Sequence, residues 1–131
     1  MRKINKIILH CSYSEFPADD NIEVIRQWHL EKGWSDVGYH FFIRKSGLID
    51  KGRDLDIVGA HVAGHNNDSI GICLHGKTNF TTSQFLSLEK LINSLNIVLQ
   101  GLPTIHGHCE FDERKPYCPG FDITEFVENF L

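Results

Sequence analysis

The sequence predicts an α/β fold: a single domain with a mixed central β-sheet flanked by helices. Three features carry that expectation. Residues 6–9 are largely β-branched and apolar and run straight into His10, Cys11 and Ser12, as a buried strand does where it reaches a polar rim. After Thr81, apolar residues recur at helical spacing, Phe85, Leu88, Leu91, Ile92, Leu95 and Val98. Between these two segments extended runs alternate with turns and a further helical pattern, the mixture expected of helices layered on one sheet. At 131 residues the chain fits one domain able to bury a core without disulfide support.

Along the chain, Asp20 or Asn21 can cap a helix over residues 22–32, with Ile22, Ile25, Trp28 and His29 at helical spacing and Gly33 as its stop. In YHFFIRKSGLIDKG two extended runs flank Lys45, Ser46 and Gly47, where glycine supplies the positive φ of a hairpin turn. Residues 59–68 are polar and glycine-rich and read as a loop ahead of the strand in SIGICLHG. Thr81 and Gln84 match a capping box for the long helix, which is expected to run up to Gly101. A short strand at 104–106 and a last helix at 122–130 complete the pattern. No repeat, low-complexity segment or linker marks a second domain, so any chemistry must share one cleft.

Composition narrows the function. Hydrophobic residues make up 41% and charged residues 23%, close to soluble globular averages, so neither disorder nor a membrane span is indicated. The net charge is -4 and Lys and Arg are scattered, which leaves no basic field for nucleic acid. The start MRKINKIILHCS holds an apolar run of only Ile7, Ile8 and Leu9 before His10, too short for a secretory signal. Synthesis in the cytoplasm, reduced cysteines and a monomer are the resulting expectations.

Three residues form a candidate zinc set: His10 at the exit of the first strand, His108 just past the last strand, and Cys118 before Pro119 and Gly120. A catalytic zinc takes three protein ligands and keeps a fourth position for water. No C-x-x-C pair occurs, which argues against a structural zinc finger. His106 competes with His108, because residues two apart in an extended segment share a face. Spacing by itself is equally compatible with a rim histidine and a small buried cysteine.

Five ordered segments go further: ILHCS, IRQWHLEKGWSDVGYHFFIRKSG, KGRDLDIVGAHVAGHNNDSIGICLHG, FTTSQ, and GHCEF with CPGFD. Together they cover nearly the whole chain, and with them it resembles the phage-lysozyme type of N-acetylmuramoyl-L-alanine amidase, whose relatives include animal peptidoglycan recognition proteins. The resemblance implies one zinc per chain, held by His10, His108 and Cys118 in a cleft on one face. It implies Tyr39 as the catalytic tyrosine, and His61 and Asn66 in a loop facing substrate. The implied reaction cuts the amide between N-acetylmuramic acid and L-alanine of the stem peptide. Peptidoglycan is then the partner, reached in the cell wall after assisted release. One position departs from the pattern. Pro116 stands where some members place a catalytic lysine, so Lys115, one residue earlier, is the expected cation at the oxyanion, with Arg114 as alternative. Cys11, Cys73 and Cys109 are read as structural, His29 as partly packed, and His40, His65 and His75 have no assigned role. A non-catalytic peptidoglycan-binding module is the main competing reading, and retention of Cys118 argues against it. An interaction protein reusing the fold is a second, and no exposed apolar patch or added segment supports it.

Overall fold

The structure, a computed structural model, describes residues 2–100 and 103–131. Its sheet has five strands: β1 (Lys6–Cys11), β2 (Phe41–Ile43), β3 (Ile49–Lys51), β4 (Ser69–Leu74) and β5 (Thr104–Gly107). Their order is β3-β2-β4-β1-β5. β1 runs parallel to both β4 and β5, β2 is parallel to β4, and β3 returns antiparallel to β2. The sheet is therefore mixed, as expected. β1 and β4 hold its centre with both faces covered, which explains why KIILHC and SIGICL read as nearly unbroken apolar runs rather than alternating ones.

Ile7, Leu9, Ile70, Ile72 and Leu74 pack on one face against α2 (Thr82–Leu99) and α3 (Ile123–Phe130) through Leu88, Ile92, Leu95 and Phe126. On the other face Phe42 and Cys73 lie under α1 (Ile22–Glu31), packed on Ile22 and Ile25. Asn21 caps α1 by accepting from the Val24 N–H, and the helix closes at Lys32 before Gly33 leaves it with a φ of 88°. Gly47, at a φ of 91°, makes the hairpin turn between β2 and β3. Thr81 and Gln84 form the reciprocal capping box of α2.

Two expectations about α2 change. Val98 is 59% exposed, because in the last turn Leu99, not Val98, packs against the core. Gly101, the expected stop, lies outside the described residues, and Gln100 closes the helix in the left-handed region at a φ of 54°. Among the described residues no helix is long and apolar enough to cross a membrane. β5 ends at Gly107, one residue later than expected, and a single 3-10 turn, His108–Glu110, follows at once.

Candidate metal centre and active-site cleft

Strand register builds the site. Leu9 stands opposite Gly107 across β1 and β5, so one further step along the two parallel strands brings His108 beside His10 at their carboxyl ends. His106 stands opposite Ile8, about 6.6 Å further back. Its ring is engaged there, with Nε2 2.7 Å from Thr104 Oγ1 and Nδ1 2.6 Å from Glu110 Oε2. The register thus separates two histidines that periodicity leaves equivalent. Cys118 arrives from the following loop, where its carbonyl accepts from the Cys109 N–H at 3.0 Å and its Sγ from the Cys11 N–H at 3.4 Å.

His10, His108 and Cys118 are all buried, and their ligand atoms lie within 4.8 Å of one another. His10 Nδ1 and His108 Nδ1 are 3.2 Å apart. Two nitrogens bound tetrahedrally at zinc distances stand about 3.3 Å apart, so this pair already has the spacing a zinc ion requires. Burial, reinforced by the neighbouring His61 and His108, holds the His10 pKa well below its ordinary value, so the ring is neutral with a lone pair to offer. Contact with the Cys11 thiol, together with burial, pushes the Cys118 thiol well up. A thiolate here needs a cation beside it, and a two-nitrogen, one-sulfur donor set suits zinc. The residues fit the metal and leave one tetrahedral position open.

His108 Nε2 faces Asp112 Oδ2 at 3.6 Å, beyond direct hydrogen-bond range. Arg114 fixes that carboxylate: its Nε and Nη2 stand 3.0 and 3.3 Å from the two oxygens, and its backbone N–H donates at 3.0 Å. Arg114 is thereby committed to Asp112 and does not line the cleft above the cluster.

That cleft has a volume of about 320 Å³, and Tyr13, Trp28, Lys32, Tyr39 and Lys115 line it together with His108 and Cys118. No carboxylate is among its lining residues, so two ammonium groups set its charge. The Lys115 Nζ lies 5.4 Å over the Tyr13 ring. Tyr39 packs its ring 5.0 Å from that of His10. Burial and then the neighbouring thiols raise its pKa well above the usual phenol value, so the hydroxyl keeps its proton. Tyr13, Lys32 and Asp112 escape sequence reasoning. Lys32 sits one helical turn after Trp28 and Asp112 four residues after His108, spacings that carry weight only once the metal ligands are placed. Tyr13 enters the cleft through a left-handed backbone with a φ of 61°, which nothing in the sequence announces.

Neither His61 nor Asn66 lines the cleft. The loop folds inward, leaving His61 9% exposed, with Nδ1 2.9 Å from His10 Nε2 and Nε2 3.3 Å from Ser69 Oγ. Burial pushes the His61 pKa down to about 3. Asn66 Oδ1 accepts from the N–H groups of His61 and Val62 at 3.0 and 2.9 Å. A polar loop with its own backbone donors at hand satisfies those first. Cys109 is exposed rather than packed, since the 3-10 turn interrupts the strand on which its inward face depends. Cys11 and Cys73 are buried. His29 is also buried and accepts from the Gly38 N–H at 2.8 Å. Among the histidines without an assigned role, His40 accepts from the Gly71 N–H at 3.1 Å, His75 lies buried beside Ser12, and His65 stacks on Phe111.

A family model described as N-acetylmuramoyl-L-alanine amidase matches residues 1–121. The endolysin of Klebsiella phage KP32 is 38% identical over 97% of this chain and 87% of its own length. That of Escherichia phage T7 is 38% identical over 93% and 84%. Among solved structures, the N-acetylmuramoyl-L-alanine amidase LysC from Clostridium intestinale URNW superposes with a TM-score of 0.86 at 30% identity, covering 97% of this chain and 85% of that one. The protein therefore belongs to the N-acetylmuramoyl-L-alanine amidase family and is an enzyme of the peptidoglycan-hydrolase class.

Proposed function

We propose that the cleft is a zinc-dependent amidase site that hydrolyses the bond between N-acetylmuramic acid and the L-alanine of the stem peptide in the bacterial cell wall. The observation that carries this reading is the convergence of His10, His108 and Cys118 under a cleft that also holds Tyr39 and Lys115. Zinc, when bound there, supplies a Lewis acid for the amide carbonyl and an acidified water, shifting a pKa of about 15.7 toward roughly 7. The protein's own residues do the rest. Tyr39 keeps its phenolic proton and lies beside His10, so its hydroxyl can orient the attacking water and hand a proton on toward the leaving amine of L-alanine. Lys115 brings a fixed positive charge to the developing oxyanion, which a cation stabilises more than it does the neutral carbonyl. Arg114 serves at one remove by holding Asp112 toward the outer nitrogen of His108.

A suspension of purified peptidoglycan tests the reading. The zinc-loaded protein should clear its turbidity, a chelator should stop the clearing, and added zinc should restore it. Clearing that continues at full rate after complete removal of the metal contradicts zinc dependence.

A further inference from the structure

The nitrogen of His10 that points away from His108 is also engaged. His10 Nε2 lies 2.9 Å from His61 Nδ1, His61 Nε2 lies 3.3 Å from Ser69 Oγ, and Ser69 Oγ donates to the His65 carbonyl at 2.7 Å. The far end of this row determines where its protons sit. A carbonyl oxygen only accepts, so the single Ser69 hydroxyl proton points to His65, and Ser69 Oγ must accept from His61. His61 therefore carries its hydrogen on Nε2. In a neutral ring that leaves Nδ1 bare, where it accepts from His10 Nε2–H. His10 is left with an unprotonated Nδ1 facing His108 Nδ1 and the Cys118 thiol.

We propose that His61 is a positioning residue for the metal centre: it fixes His10 as the Nε2–H tautomer and holds its ring so that Nδ1 remains a ligand. The proposal rests on the zinc reading of the site. The surroundings are cut to fit this ring. A Cβ on Gly71 of β4 would stand 2.6 Å from the His61 ring, and one on Gly59 would stand 2.7 Å from it. The Asn66 carboxamide holds the backbone that presents His61, and the two imidazoles meet edge to face at 88°. Metal-bound histidines commonly pass their second N–H to a carboxylate, a carbonyl or water. A neutral imidazole in that place orients the ligand without adding negative charge, so the Cys118 thiolate remains the one anionic ligand and the metal stays a stronger electrophile.

Nitrogen-15 NMR of the zinc-loaded protein reads the tautomers directly. His10 and His61 should both be protonated at Nε2, and a His61 protonated at Nδ1 overturns the proposal. Two variants supply a second reading through competition with a chromophoric chelator. His61→Phe keeps a ring without an acceptor and should lose about 10- to 100-fold in zinc affinity. His61→Asn places a carbonyl oxygen near the position of Nδ1 and should recover most of that loss. Equal affinities for the two variants overturn the proposal. Should His61→Phe fail to fold, Ser69→Ala removes the acceptor at the far end of the row and is expected to weaken zinc binding, and an affinity unchanged from the parent protein overturns it. None of these readouts uses peptidoglycan, so they stand or fall separately from the amidase activity.

Discussion

His10 Nδ1 and His108 Nδ1 face one another across 3.2 Å at the ends of two parallel strands. Two imidazole nitrogens at that distance share either a proton or a cation, and the Cys118 sulfur beside them favours the cation. His108→Ala should bring zinc content from about one per chain to near zero. The rise in melting temperature on adding zinc should disappear with it, because a ligand stabilises only the state that binds it. Metal analysis and calorimetry of the same sample check both outcomes.

Arg114 and Lys115 are neighbours with different partners: Arg114 forks onto Asp112, whereas Lys115 reaches the cleft. Lys115→Ala should reduce turnover about 100- to 1,000-fold with zinc content unchanged. Arg114→Ala should cost less, acting through the looser Asp112. Steady-state kinetics on both variants decide the matter, and the reverse order of losses would move the oxyanion role to Arg114.

Gln84 ties α2 to the sheet. Fully buried, it donates from Nε2 to the carbonyls of Ile43 and His75 at 3.2 and 2.9 Å and accepts the Thr81 N–H at Oε1. Gln84→Leu leaves the buried His75 carbonyl without its donor, leaves the Ile43 carbonyl only the His75 N–H, and breaks the capping box, at a cost of about 2–4 kcal/mol. Urea unfolding should show that loss, while zinc content stays at the parent value.

Stability should depend on pH through His40 and His61, whose pKa values burial lowers to about 4 and about 3. In the unfolded chain both titrate near 6.5, so below that pH the unfolded state binds more protons than the folded one. Their contribution is complete above about 6.5 and is lost as the pH falls toward the folded values, with a slope of up to about 1.4 kcal/mol per pH unit for each ring. Denaturant unfolding of the metal-free protein at pH 7.5, 6 and 5 should show this decline, and a flat profile contradicts it.

Much of this architecture is legible in the sequence because local signals and tertiary structure agree. Asn21, Gly47, Thr81 and Gln84 each act where their chemistry alone places them. Periodicity does not choose His108 over His106, since both satisfy a strand period; the family motif favours His108, and the pairing of Leu9 with Gly107 separates the two in space. His61 is illegible from periodicity. A polar, glycine-rich loop reads as surface, and its inward turn depends on two glycines, distant from each other in sequence, leaving room for one ring. Asn66 looks outward for the same reason, although its partners are the loop's own amides.

The central claim concerns which bond is cut and with what. Mass spectrometry of peptidoglycan digested by the zinc-loaded protein measures both. Hydrolysis at the lactyl amide releases intact stem peptides with free L-alanine amino ends from glycan strands that remain uncut, and neither the chelated protein nor Cys118→Ser should yield these products. New reducing sugar ends, or the same stem peptides from protein stripped of zinc, would contradict the account.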